Sequence, residues 1–361
     1  MTTTEGTAMT CSTKRISAGL AAAALAFAFS AAPSMAADKL KYFTWSGYEL
    51  PEFNQSFNTA HPDAVETTTF GDDDDAFSKV KAGFHPDLAH PCYDKIARWN
   101  KEGLLQPIDT ARIKNWDAIF PIFRNLPDLK AGDGKVWMVP WDWGNTSILY
   151  RSDIVKDPEQ SWNLLWDKKY AGKIATIDAV HDTPVVAALL AGVSPFDMTP
   201  EEMDKVAAKL REQRPLLSSY TTDMTSVEQA LSSGELVAAM TWNASATSLR
   251  KQGVPVEFMK PKEGMLTWAC GFVLLKDSAN VDLAYDFINS RLEAASGQHL
   301  IQSYGYGAST KAAFDLVSKE ELKTLQLPAD PEEVLKETVF TGPMKQNDEL
   351  AKMFEKVKAG G

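Results

Sequence analysis

The stretch LKYFTWSGYELPEFNQSFNTAHPDAVETTTF, residues 40–70, decides how this chain is read. Its first six residues, Leu40–Trp45, are mostly apolar and aromatic, the composition of a strand. Residues 51–60 follow with a proline in front, where a fixed φ and a missing N–H suit the first turn of a helix. Val65–Phe70 is β-branched and Thr-rich, a second strand. The alternation then continues with a helix over 74–82, a short strand over 87–90 and a helix over 93–102 that Gly103 ends. Such alternation predicts an α/β protein with mostly parallel sheets. Further strands are expected at 135–139, 147–150, 173–177, 236–241, 256–259 and 271–275. Helices are expected at 200–212, 225–231 and 281–292, and a polar amphipathic helix at 347–358.

The chain has 361 residues, enough for two domains with a core in each. Its 37 basic residues face 48 acidic ones, a net charge of −11. That balance excludes a nucleic-acid binder relying on phosphate neutralisation and suits a cationic partner. Residues 1–36 stand apart. Lys14 and Arg15 precede an uncharged apolar run over 18–32, and Ser34 and Ala36 supply the small-x-small pattern of a cleavage site. This is the pattern of a secretory signal peptide. The run of about 15 residues is short for a bilayer core of roughly 30 Å. Cys11 would leave with the leader. Cys92 and Cys270 remain, and whether they pair in an oxidising compartment is left open by the sequence.

In α/β sheets ligands sit beyond the carboxyl ends of strands. Here those ends are rich in aromatics and carboxylates. Trp45 and Tyr48 follow the first strand, Trp141 and Trp143 follow Pro140, Trp242 follows the strand at 236–241, Trp268 precedes another, and Tyr306 follows Gly305. A lone Trp is usually core. Five Trp at strand ends argue for aromatic pocket walls, which bind sugars, apolar chains or ammonium groups, the last by cation–π contacts of ~0.5–2 kcal/mol. Asp94, Asp142, Asp178 and Asp182 lie at the same places, and the run 72–75 reads as a helix cap. Aromatic faces beside carboxylates suit an organic cation. The nucleophile-elbow, phosphate-loop and zinc-protease motifs are absent from the sequence. His85, His90, Cys92 and Asp94 fall within ten residues, but their spacing is unlike the usual zinc motifs.

At this point the sequence resembles the periplasmic spermidine/putrescine-binding proteins of bacterial polyamine ABC transporters. The landmarks are residues 42–48, YFTWSGY; 86–91, PDLAHP; 101–109, KEGLLQPID; and 139–144, VPWDWG. Residues 161–166, SWNLLW, with 170–173, YAGK, come next, followed by 240–245, MTWNAS. Residues 261–264 leading to Trp268, Gly305-Tyr306 and the terminal 358–360 complete the order. The resemblance implies an α/β, two-lobed periplasmic binding protein fold with the ligand between lobes joined by hinge segments. Lobe 1 is expected over 37–142 and 268–312, and lobe 2 over 143–267 and 313–361. It implies a monomeric periplasmic receptor that needs no cofactor and is not an enzyme. The receptor would capture a polyamine-like cation, close over it and deliver it to an inner-membrane ABC permease.

The resemblance also implies a ligand site. Trp45, Tyr48, Trp242, Trp268 and Tyr306 fall where the family places aromatics. Asp178 falls on a carboxylate that binds a terminal ammonium. His181 takes the place of the next carboxylate, with Asp182 adjacent. Cys92 stands where a pocket Ser is common, and Asp94 where an aromatic is common. Cys270 occupies the place of an Asp that grips an amine, and Gly47 that of an acidic residue. Asp94 or Asp182 would then have to substitute, or the ligand is a monoamine, an amino acid derivative or a quaternary ammonium. Two other classes carry less support. One is an exported hydrolase using Asp178, His181 and Asp182, and the other a metal receptor using His85, His90 and Cys92.

Overall fold

The computed structural model describes residues 39–361. The expected leader and Cys11 lie outside them. A twelve-stranded sheet runs through the molecule. Its main path uses β1 (Leu40–Trp45), β2 (Val65–Phe70), β3 (Leu88–Ala89), β4 (Val139–Arg151), β5 (Ile174–Thr176), β6 (Leu217–Tyr220), β7 (Ala238–Trp242) and β8 (Leu266–Leu275). The spatial order is β6-β5-β7-β4-β8-β3-β1-β2.

The expectation of mostly parallel sheets holds at the two flanks and fails in the middle. β2, β1 and β3 are parallel neighbours, as are β6, β5 and β7. β4 and β8 pair antiparallel, and each joins its flank antiparallel as well. Two long strands thus connect two α/β halves. The sequence leads one to expect only 147–150 of β4, and its first residue as the end of a strand at 135–139, because Pro140 and Gly144 interrupt the apolar pattern. β4 forms one strand because twelve of its thirteen residues are buried, so alternation is not required. Trp141 and Trp143 accordingly lie inside β4, each 1% exposed, and not at a strand end. Trp268 lies within β8 rather than before it. β6 was not expected.

The helices used below are α1 (Gln55–Ala60), α2 (Asp73–Lys81), α3 (Tyr93–Lys101), α4 (Thr183–Leu190), α5 (Pro200–Gln213), α6 (Asn243–Lys251), α7 (Val281–Arg291), α8 (Ala294–Tyr304) and α9 (Asn347–Lys358). Asp72 caps α2, accepting from the N–H groups of Asp74 and Asp75, as the acidic run suggested. Thr199 and Glu202 form a capping box on α5. Gly305 ends α8 at φ +69, where a Cβ would also meet the Thr247 side chain.

The apolar side chains fall into separate clusters. One packs α1, α2, α3, α7 and α8 on the β1 flank, through Phe43, Phe53, Phe57, Phe77, Trp99 and Phe287 among others. Residues 313–335 add Ala313, Phe314, Leu322 and Leu335 to it. Another packs α4, α5 and α9 on the β5 flank, through Val185, Val186, Leu210 and Phe354. A third covers the other face of that flank through Leu149, Leu231 and Leu249. Trp242 touches the first and second clusters, so it sits where the two halves meet. Among the described residues, no helix is long and apolar enough to cross a membrane.

Candidate functional site

Two helix N-termini meet at the junction of the halves. The strand end after β3 leads into α3, whose first turn carries Asp94 and Lys95. The strand end after β5 leads to His181 and Asp182, the residues just before α4. Asp94 Oδ2 lies 3.2 Å from His181 Nδ1 and 3.1 Å from Lys95 Nζ. The His181 contact brings the charges close, but Nδ1 has no aligned hydrogen bond. His181 Nε2 lies 3.0 Å from Asn347 Oδ1 on α9. Lys95 Nζ is also 3.9 Å from Asp74. Asp73 is buried on α2 beside this group and accepts from the Cys92 N–H at 3.4 Å.

Burial sets the charge states. It pushes the Asp182 carboxyl up to about 7; Asp94 adds to the rise, while Thr146 and Lys95 oppose it. It pushes His181 down to about 4, against the attraction of Asp94. Asp73 is raised well above the usual carboxylate range by burial and by Asp94. Burial would raise Asp94 too, but Lys95 and His181 outweigh it and hold the carboxyl below its ordinary value. The group therefore holds one carboxylate held ionised, one internal ammonium, and two carboxyls whose loss of a proton to solvent a nearby cation favours.

The aromatic candidates form a row of their own. Trp268 meets Tyr306 edge-on at 4.8 Å, Tyr306 stacks with Tyr304 at 6.1 Å, and Tyr304 stacks with Tyr48 at 5.6 Å. Trp268 lies over Gly144, where an added Cβ would collide with the indole. Trp45 packs on Phe70 at 4.8 Å. The indole N–H groups of Trp45 and Trp268 are buried without acceptors. Trp242 closes β7 and occupies the cap position of α6.

The structure does not bring every sequence candidate together. The Asp178 carboxylate takes an ion pair from Lys358 on α9, outside the Asp94–His181–Asp182 group. Of the hydrolase candidates Asp178, His181 and Asp182, the first pairs with Lys358 and the second contacts Asn347. Cys92 and Cys270 form a disulfide that ties the cap of α3 to the middle of β8. The metal-like quartet is dispersed, since His90 Nε2 lies 2.8 Å from Asp142 Oδ1, Cys92 is in the disulfide and Asp94 engages Lys95.

Sequence reasoning missed Asp73, Lys95 and Asn347. It also missed a buried polar chain beneath the aromatic row. Thr44 Oγ1 lies 3.1 Å from His90 Nδ1, and the Tyr48 hydroxyl donates to Asp142 Oδ2 at 3.0 Å. Asp142 stood out only as a carboxylate near a supposed strand end. Its partners are 52 and 94 residues away, a pairing without a local signal.

The profile of bacterial extracellular solute-binding proteins matches residues 52–329. The spermidine/putrescine-binding periplasmic protein of Escherichia coli is 28% identical over 94% of this chain and 97% of its own. The protein of that name from Salmonella typhimurium is 27% identical over the same shares. Among solved structures, a lipoprotein of Treponema pallidum superposes with a TM-score of 0.78 at 20% identity, covering 89% of this chain and all of the other. Two α/β halves joined by long crossing strands are thus the two lobes of the periplasmic binding protein fold, and the chain belongs to the bacterial extracellular solute-binding protein family.

Proposed function

We propose that this protein is a periplasmic receptor that captures a polyamine-like cation between its lobes and hands it to an ABC permease in the inner membrane. The observation that carries this reading is the acidic group at the lobe junction. Asp73 and Asp94 come from the first half and Asp182 from the second, and Trp242 touches the apolar clusters of both. An ammonium entering this group meets carboxylates from both halves, so its binding favours the closed arrangement. Asp94 and Asp182 take the part that a carboxylate at position 270 would have played. The names of the curated relatives support the same ligand class. We take residues 39–142 and 268–335 as one lobe and 143–267 with the terminal helix as the other, on the grouping of their apolar side chains. The receptor works as a monomer and releases its ligand unchanged.

A second reading keeps the receptor and changes the ligand to a monoamine, amino acid derivative or quaternary ammonium. It is favoured by Lys95, which already places one ammonium against Asp94, and by the disulfide at Cys270. Calorimetry on the mature chain, refolded free of carried-over ligand, separates the two. Spermidine or putrescine should bind, and Asp94→Asn and Asp182→Asn should each weaken binding about tenfold or more. Silence toward both polyamines with a response to choline or γ-aminobutyrate establishes the second reading. Silence toward the whole panel refutes both.

A further inference from the structure

A cavity opens beside the first strand pair. It has a volume of about 380 Å³ and sits between β1, β2, α1 and α7, lined by Tyr42, Glu49, Asn54, Asp63, Thr67 and Arg291 among others. None of the residues placed at the junction lines it. Its volume is at the lower end for small-molecule pockets, roughly 300–1,000 Å³.

Its wall holds an incomplete hydrogen-bonding site. Arg291 is 1% exposed. Its Nη2 donates to the Tyr48 carbonyl at 2.8 Å, while Nε and Nη1 have no acceptor. The Tyr42 hydroxyl, on the same lining, is also buried without a partner. Four rings surround the guanidinium: Trp141 and Phe287 at 4.9 Å, Phe53 at 5.0 Å and Tyr42 at 5.3 Å. Ring faces attract the charge but accept hydrogen bonds poorly, and a buried donor without an acceptor is costly. A carboxylate answers this deficit, because two oxygens match two N–H groups of a guanidinium fork. The same cavity carries the carboxylates of Glu49 and Asp63. They disfavour a ligand of net negative charge and attract an ammonium.

We propose that this cavity binds a small zwitterionic amino acid, its carboxylate on Arg291 and Tyr42 and its ammonium toward Glu49 and Asp63. The site is independent of the cation captured between the lobes.

The test is titration of the mature protein with alanine, by calorimetry and by the side-chain N–H signals of its arginines in NMR, with and without spermidine. Alanine should bind once per chain in both conditions and move one arginine Nε–H signal. Acetate and ethylamine, each lacking one charge, should bind about tenfold more weakly or worse. Arg291 also anchors Tyr48, so its replacement would test folding as much as binding. Thr67→Trp fills the cavity from an exposed position on β2 instead. It should lower alanine affinity about tenfold or more while leaving the melting temperature and the response to spermidine unchanged. No alanine binding by the wild type, equal binding of acetate, or wild-type affinity in Thr67→Trp would each overturn the proposal.

Discussion

Asp182 and His181 should carry opposite pH dependences of stability that hide one another. Asp182 rises from 3.8 to about 7 on folding, chiefly by burial. Between those values the folded protein holds a proton that the unfolded chain has lost, so stability falls as pH rises. His181 drops from 6.5 to about 4, again chiefly by burial. Between those values the unfolded chain holds the extra proton, so stability rises with pH. One proton difference is worth about 1.4 kcal/mol per pH unit. From about pH 4 to about pH 6.5 the two slopes cancel. Both groups face the same charges, since Asp94 and Lys95 act on each and Asp74 adds to the field at His181. Asp182→Asn therefore unmasks His181. Relative to wild type it should gain up to about 1.4 kcal/mol of stability per pH unit on going from about pH 4.5 to about pH 6.5. His181→Asn should show the opposite slope relative to wild type, ending near pH 6.5 where the unfolded histidine has titrated. Urea unfolding of ligand-free protein across this range measures both. Profiles parallel to wild type in the two variants would refute the assigned charge states.

Three further outcomes follow from the same structure. Cys92→Ser with Cys270→Ser removes a cross-link spanning 178 residues and should cost about 2–5 kcal/mol in denaturant unfolding, with dithiothreitol reproducing the loss in the wild type. Gly144→Ala places a Cβ against the Trp268 indole, 2.8 Å from Cε2, and 2.9 Å from Asn243 Oδ1. It should cost about 1–3 kcal/mol and weaken cation binding by displacing that wall; full affinity would place Trp268 outside the site. Asp142→Ala strips His90 and Tyr48 of their buried acceptor and should cost about 3 kcal/mol, read as a lower urea midpoint at unchanged slope.

What the sequence made legible was local. β1 and β2 follow from their composition and α2 from its Asp72 cap, and the strand ends after β3 and β5 led to Asp94, His181 and Asp182. What it hid depended on contacts between distant segments. β4 looked interrupted because Pro140 and Gly144 are poor strand residues. Pro140 is tolerated opposite Gly271, where the register shifts and an added Cβ would strike the β4 backbone. Gly144 is required by the ring of Trp268, which comes from another strand. Asp178 follows β5 more closely than Asp94 follows β3, yet Lys358, 180 residues later, engages it. Strand-end position identified carboxylates; it could not identify which of them another side chain already held.

That distinction bears on how the lobes respond to a ligand. The halves touch through Asp94 and His181, and His181 is held neutral by burial, so the contact lacks the attraction of a full ion pair. On the proposed reading, an ammonium placed against Asp94 and Asp182 brings the missing charge and favours ionisation of the Asp182 carboxyl. The closed arrangement then gains an interaction that an open cleft makes only in part, which is the differential affinity that shifts a two-state equilibrium. Lys95 limits the effect. It neutralises Asp94 from within the same half and so contributes nothing to closure. On the proposed reading, selectivity for a cation therefore rests on Asp182, the carboxyl that the protein's own cations leave for the ligand to ionise.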